Sequence, residues 1–181
     1  GSDFVKEGNM VAEVMVKALG GKAKIIELQG TVGSSPANDR ASGFAEYIKA
    51  HPEMVVIASQ SGDFARDKGR QVFETLYQAH PDATALYSHN DEMTMGAIAA
   101  MEAAGKVPGK DLIIGTIDGT TDAAQAIVDG KVLVCVECNP KFGPAAFAAI
   151  EKMGNGETLA VKLVNTDRVF SKDNVADYMP E

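Results

Sequence analysis

Five residues that could bind a polar ligand follow the apolar runs of this sequence one after another. They are Arg40, Phe64, Asn90, Asp118 and Glu137. A sugar hydroxyl both donates and accepts hydrogen bonds, so carboxylates and an amide can accept its proton while a guanidinium donates to its lone pairs. The apolar C–H face of a sugar ring packs on an aromatic ring. The set therefore predicts a carbohydrate site that needs no metal ion, cofactor or nucleophile.

Each of these residues also has an ordinary structural explanation. Asn90 precedes a run typical of a helix start, where an amide side chain caps backbone N–H groups. Asp118 and the glycine after it form a common turn pair. Arg40 could be a surface charge, and Phe64 could belong to the core. Glu137 is harder to explain in this way, because a carboxylate buried at the end of a strand is costly without partners.

Strand-like apolar runs alternate with helical patterns along most of the chain. This alternation predicts an α/β fold, a three-layer sandwich in which a parallel, twisted sheet carries helices on both faces. Residues 54–58 are apolar and largely β-branched, which predicts a central strand buried on both faces. Residues 161–170 are expected to form a final extended stretch. Because ligands bind beyond the carboxyl ends of the strands in such sheets, we expect the five residues to lie at one edge.

The two cysteines, Cys135 and Cys138, have the C-x-x-C spacing of redox motifs. They lie in and directly after a strand-like run instead of at a helix start. An odd separation along a strand points two side chains to opposite faces of the sheet. The spacing therefore predicts two structural cysteines, and with only three scattered histidines no metal-ligand set is expected.

Length and charge narrow the possible partners. The 181 residues fit one domain, and the net charge of −8 offers no basic surface for nucleic acid or an anionic membrane. No apolar run approaches the roughly 20 residues that cross a bilayer, and no secretory signal is expected at the start of this chain.

Two motifs in the chain resemble the periplasmic sugar-binding proteins related to the ribose-binding protein. They are SHNDEM at 88–93 and IDGTTD at 117–122. The runs ELQGTVG at 27–33 and SQSGDF at 59–64 are similar to the galactofuranose-binding branch of that family. The resemblance covers nearly the whole chain but leaves out the family's first lobe. It therefore implies one lobe of a type I periplasmic binding protein.

The resemblance also implies a function. Arg40, Asn90 and Asp118 would hydrogen-bond a monosaccharide, and Phe64 would stack on it. The position of a glutamine in ribose binders falls at Cys138, which argues against ribose itself, and the neighbouring Glu137 would take its place. The protein would be a non-enzymatic receptor in the periplasm that delivers its sugar, in a furanose form for example, to the membrane permease of an ABC-type importer.

The family pattern divides the chain into three parts. Residues 1–138 would form the carboxy-terminal sugar-binding lobe, residues 139–162 would belong to the missing amino-terminal lobe, and residues 163–181 would return as a strand and a tail. A helix expected at 142–153 would then have lost its usual packing partners. We expect it to dock on its own lobe, to pair with another copy in a homodimer, or to be poorly ordered. With half of the ligand site present, sugar affinity is expected to be weak.

Two other classes of protein stay open as alternatives. The effector domain of a sugar-responsive transcriptional repressor shares this fold, and it would follow a DNA-binding headpiece. An enzyme could use the acidic residues after the strands for acid–base chemistry. However, no glycine-rich phosphate loop follows any strand, and no Ser–His or Cys–His pairing is indicated, so the sequence favours a binding protein.

Overall fold

The computed structural model describes residues 1–178, which form a six-stranded sheet between two layers of helices. The tail predicted at the end of the chain includes residues 179–181, which lie outside the described residues. The elements in chain order are α1 (Phe4–Ala18), β1 (Lys22–Gln29), α2 (Ser35–Ile48), β2 (Glu53–Ser61), α3 (Arg66–Ala79), β3 (Ala85–Ser88), α4 (Asp91–Ala103), β4 (Ile113–Asp118), α5 (Thr121–Val128), β5 (Val134–Glu137), α6 (Gly143–Gly154), β6 (Val169–Phe170) and a 3-10 helix (Val175–Tyr178).

The strands are arranged in the order β2-β1-β3-β4-β5-β6. The first five run parallel to one another, whereas the two-residue strand β6 is antiparallel to β5. The chain moves outwards from β1 to β2 and then returns to the other side of β1 to form β3. Such a reversal is the switch point beside which open α/β sheets bind ligands. The predicted α/β fold with a mainly parallel sheet is confirmed.

Two apolar cores lie on the two faces of the sheet. Helices α1 and α2 cover one face, where Phe44 and Tyr87 stack with their ring centroids 4.0 Å apart. Helices α3, α4 and α5 cover the other face. The two cysteines separate as predicted, since Cys135 belongs to the α3–α5 core and Cys138 packs against the α1–α2 core. Both thiols are free.

One prediction about strands is wrong, and one holds only in part. Strand β2, expected at the centre of the sheet, is an edge strand, and Val55 within it is 46% exposed. Its β-branched side chains pack only partly on each core because no further strand extends the layers beyond it. The extended stretch expected at 161–170 forms a strand only at Val169–Phe170. Val161 and Val164 in its first half are exposed and do not pair with the sheet.

Helix α6 has a different environment from the other five helices. None of its residues is buried, and Phe147, Ile150 and Met153 expose large apolar side chains. The helix follows Pro140, and most of the residues between it and β6 are exposed. Within residues 1–178, no helix has both the length and the apolar composition needed to cross a membrane.

Candidate functional site

Arg40 lies in the second turn of α2, the helix that follows β1. Ser34 caps this helix by accepting from the Ala37 backbone N–H, and a proline in the first turn favours its start. The guanidinium is buried and makes three bonds. Arg40 Nε donates to Glu7 Oε2 at 2.7 Å, Nη1 donates to the His89 carbonyl at 2.5 Å, and Nη2 donates to Asp118 Oδ1 at 3.4 Å. Its side chain is therefore held in one position.

Phe64 follows β2 in a strained turn. Both Asp63 and Phe64 have positive φ angles, of 55° and 60°, which residues other than glycine rarely adopt. The Phe64 ring lies against the backbone of Gly30, where an added Cβ would come within 1.9 Å of a ring atom. It also lies 5.9 Å from Arg40 Cζ. The turn thus places an aromatic ring beside the guanidinium.

Asn90 combines the two roles that its sequence position allows. Its Oδ1 accepts from the Met93 backbone N–H at 3.1 Å and so caps α4. Its Nδ2 donates to the Phe64 carbonyl at 3.1 Å. The structural explanation is therefore confirmed, and the same amide fixes the turn that carries the aromatic ring.

Asp118 ends β4 with φ at +138°, and Gly119 follows with φ at +87°. The buried carboxylate of Asp91 holds this turn, because its Oδ2 accepts from the Gly119 N–H at 3.0 Å and the Thr120 N–H at 2.8 Å. Burial raises the pKa of Asp118 to about 7, the negative charge of Asp91 adds to the rise, and Arg40 opposes it. Asp118 can therefore gain or lose a proton near neutral pH.

One cleft of about 470 Å³ brings four of the five predicted residues together, namely Arg40, Phe64, Asn90 and Asp118. The cleft lies beyond the carboxyl ends of the strands, close to the switch point between β1 and β3. Its other lining residues are Gly1, Ser2, Phe4, Pro36, Cys138, Pro140 and Phe142. A guanidinium, a carboxylate and an amide thus share one cavity with aromatic rings.

Glu137 is not among the residues that line this cleft. Its carboxylate pairs with Arg168, which donates from Nε to Oε2 at 2.8 Å and from Nη2 to Oε1 at 2.6 Å. The pair holds the pKa of Glu137 below its ordinary value. Glu137 lines a neighbouring cleft of about 280 Å³, to which Asp118 also contributes. A direct role for Glu137 in ligand binding stays a prediction.

Two buried groups behind Arg40 were not predicted from the sequence. Glu7 on α1 is fully buried, and burial raises the pKa of its carboxyl while Arg40 opposes the rise. Its position gave a signal, because Glu7, Val11 and Met15 follow one another at intervals of four on the apolar face of α1. A charged residue on such a face indicates a buried partner.

His89 is the second unpredicted group. Its Nδ1 accepts from the Gly30 N–H at 3.3 Å, so Nε2 carries the proton that is shared with Glu27 Oε1 at 3.1 Å. These bonds fix the backbone at His89, whose carbonyl accepts from Arg40. The guanidinium is thereby held from two directions, by Glu7 and by the β3–α4 connection.

The sheet topology and the polar cleft at its carboxyl edge define a ligand-binding lobe of the α/β class. The chain belongs to the periplasmic binding protein domain family, whose model matches residues 1–158. The resemblance seen in the motifs is therefore confirmed.

Three relatives illustrate the similarity. The galactofuranose-binding protein of Escherichia coli is 43% identical over 169 residues, which are 91% of this chain and 53% of that protein. The ribose import binding protein of Salmonella typhimurium is 38% identical over 162 residues, 89% of this chain and 53% of that protein. The binding component of the arabinose ABC transporter of Shewanella sp. ANA-3, bound to α- and β-L-arabinofuranose, superposes with a TM-score of 0.92 at 39% identity. The superposition covers 98% of this chain and 60% of that one.

The chain thus spans about half the length of the curated relatives it matches. By their names, these relatives are sugar-binding proteins and not enzymes, and two of the names refer to import or to an ABC transporter.

Proposed function

We propose that this chain is a sugar-binding lobe of a periplasmic receptor, and that it presents a monosaccharide to the membrane permease of an ABC-type importer. The observation that carries the proposal is the single cleft lined by Arg40, Phe64, Asn90 and Asp118. Neither catalysis nor binding of nucleic acid is part of the proposed role. The repressor alternative has no specific observation in its favour.

The side chains of the cleft suit a polyol. Arg40 uses three of its five N–H donors within the protein, so two are left for sugar oxygens. Asp118 is positioned to accept from sugar hydroxyls, and its side chain is 31% exposed. The Phe64 ring offers an apolar surface for the C–H groups of a sugar ring. Support for a furanose form comes from the galactofuranose- and arabinofuranose-binding relatives.

The cleft is open to solvent, so this lobe alone would bury a sugar incompletely. In two-lobed binding proteins, closure about a hinge buries the ligand from both sides. We therefore propose that residues 1–138 form the sugar-binding lobe, that residues 139–162 extend towards a second lobe, and that residues 163–178 return to the sheet. The same proposal places the mature receptor in the periplasm and explains why this chain would bind sugar weakly.

Nuclear magnetic resonance titration tests the proposal on this chain, with L-arabinose, D-galactose, D-ribose and D-glucose as ligands. We expect one of the first two sugars to shift the amide signals around Arg40 and Asp118, with Kd in the millimolar range, about −4 kcal/mol. The two-lobed galactofuranose-binding relative serves as a positive control in calorimetry, where burial between two lobes is expected to make binding at least about tenfold tighter.

Substitutions test which residues bind the sugar. Arg40→Ala and Asp118→Ala should each weaken binding at least about tenfold, because each leaves ligand oxygens or hydroxyls without a partner. Arg70→Ala is the matched control, since Arg70 pairs with Glu74 on the exposed surface of α3. Binding that survives both cleft substitutions, or no binding of any sugar by the unaltered chain, would contradict the proposed function.

A further inference from the structure

We propose that Glu7 is a positioning residue that sets the specificity of the cleft. By neutralising Arg40 from within the core, it makes the cleft select uncharged sugars and reject sugars that carry a carboxylate or a phosphate. The inference rests on the proposed function and adds the charge class of the ligand to it.

Glu7 is the main counter-ion of Arg40. Two carboxylates contact the guanidinium, Glu7 at 2.7 Å and Asp118 at 3.4 Å. The Glu7 side chain is fully buried, whereas that of Asp118 is 31% exposed. Because attraction grows as distance and solvent screening decrease, the Glu7–Arg40 pair is the stronger of the two. Asp118 is therefore left available for hydroxyl groups of a ligand.

Glu7 lies behind the cleft and not on its surface. Glu7 is not among the residues that line the cleft, and Cys138, which does line it, lies beside Glu7. Burial and the Glu7 carboxylate raise the pKa of the Cys138 thiol to about 11, so a neutral group faces the ligand there. Glu7 Oε1 makes no hydrogen bond within the described part of the chain. Glu7 therefore acts on a ligand through Arg40.

The charges around the Arg40 guanidinium determine whether the cleft attracts an anion. The positive charge of Arg40 is balanced by Glu7 alone, and Asp118 adds negative charge as it ionises. A neutral hydroxyl still accepts hydrogen bonds from Arg40, whereas an anionic group finds no net attraction and is repelled by Asp118. The amino group of Gly1 adds a positive charge at the rim, where it donates to the Leu163 carbonyl. That charge is the same in every variant, so it cancels when the affinity ratios of two variants are compared.

Glu7→Gln removes the charge and keeps the shape. The glutamine carbonyl can still accept from Arg40 Nε, so the guanidinium keeps a partner while it loses its counter-ion. Glu74→Gln is the matched control, because Glu74 also accepts from an arginine Nε, that of Arg70 at 2.9 Å, but lies on the exposed surface of α3 outside the cleft. Thermal unfolding shows whether each variant is folded.

The experiment compares L-arabinose, D-galactose and D-galacturonate, whose rings share one configuration and differ in the substituent at C5. Kd is measured by nuclear magnetic resonance in the 181-residue chain and its two variants. We expect the unaltered chain to bind its better neutral sugar at least about tenfold more tightly than galacturonate. Glu7→Gln should narrow this ratio of affinities by about tenfold, equivalent to about 1.4 kcal/mol, and Glu74→Gln should leave the ratio unchanged.

A merely structural Glu7 would behave differently. In that case Glu7→Gln would weaken all three sugars by the same factor, and the inference would be overturned. Should the variant fail to fold, the unaltered chain is measured with the Gly1 amino group acetylated, and equal affinity for galactose and galacturonate then contradicts the inference. Absence of binding by any sugar would instead sink the proposed function itself, and this inference with it.

Discussion

Arg40 lies on α2 between the exposed residues Asn38 and Ser42, yet Arg40 itself is only 3% exposed. Burying an unpaired charge would cost several kcal/mol, so such a position is stable only with close partners. Glu7 and the His89 carbonyl supply them. The surface-charge explanation of Arg40 is wrong for this reason. The position of the Arg40 side chain in the candidate site therefore depends on buried partners and not on the other residues that line the cleft.

Asp118 makes stability depend on pH. Its pKa is about 7 in the folded chain and close to 3.8 when unfolded, so between these values the folded state holds a proton that the unfolded state has lost. Stability is therefore fully present below about pH 4 and decreases as pH rises through 7. Because the group is partly exposed, we expect a loss of about 1–2 kcal/mol between pH 5 and pH 8.

Urea unfolding of the unaltered chain and of Asp118→Asn at pH 5 and pH 8 measures how much Asp118 contributes to the pH dependence of stability. The variant should lose less stability than the unaltered chain over the same interval, since asparagine does not titrate. Other buried acids contribute equally to both proteins, so the difference between the two isolates Asp118. Identical pH profiles would show that Asp118 titrates at its ordinary pKa.

At the scale of elements, the close contact between α1 and α2 brings Glu7 to Arg40. A Cβ at Gly8 would lie 2.3 Å from the Arg40 carbonyl oxygen, and one at Gly43 would lie 2.0 Å from the Val5 carbonyl oxygen. The two helices thus meet at backbone distance, which only glycine permits. Glu7 lies on α1 and Arg40 lies on α2, so the spacing of the two helices controls the geometry of the Glu7–Arg40 pair.

Gly8→Ala should separate α1 from α2. We expect it to destabilise the chain by about 1–3 kcal/mol through overpacking and to weaken sugar binding, since Glu7 would move away from Arg40. Gly154→Ala at the end of α6 is the control, because its Cβ would meet no atom within 4 Å. That change should alter stability by less than about 1 kcal/mol. Equal effects of the two substitutions in urea unfolding would show that the α1–α2 contact tolerates a side chain.

At the scale of the whole molecule, α6 stands apart from both cores. Its exposed side chains Phe147, Ile150 and Met153 are the kind of apolar surface that marks an interaction site. This environment fits the proposal that residues 139–162 do not belong to the sugar-binding lobe. In this chain, we propose that a second copy covers the surface and forms a homodimer.

Sedimentation velocity tests the homodimer. The unaltered chain should sediment as a dimer at tens of micromolar, and Ile150→Lys should make it a monomer, because a charge cannot be buried in the apolar contact. Unfolding stability measured on the monomer should stay within about 0.5 kcal/mol, as for exposed sites in general. Lys110→Ala, an exposed change elsewhere, should leave the dimer intact. A monomer at all concentrations would contradict the proposal.

Much of this molecule follows from local sequence patterns. The alternation of apolar runs and helical stripes predicted the α/β sandwich, and the position of each polar residue after a strand predicted the shared edge where four of them meet. The cap at Asn90 and the opposite faces of Cys135 and Cys138 could also be derived, because each depends on the conformation of a few neighbouring residues.

The remaining features depend on residues far apart in the chain. Strand β2 has the composition of a central strand, but its place at the edge is decided by the return of the chain to β3 on the other side of β1. Glu7 and Arg40 are separated by 33 positions. Glu137 has the expected position but is paired with Arg168, 31 positions away. Such pairings follow from the three-dimensional packing of residues that are distant in the chain, which no local pattern specifies.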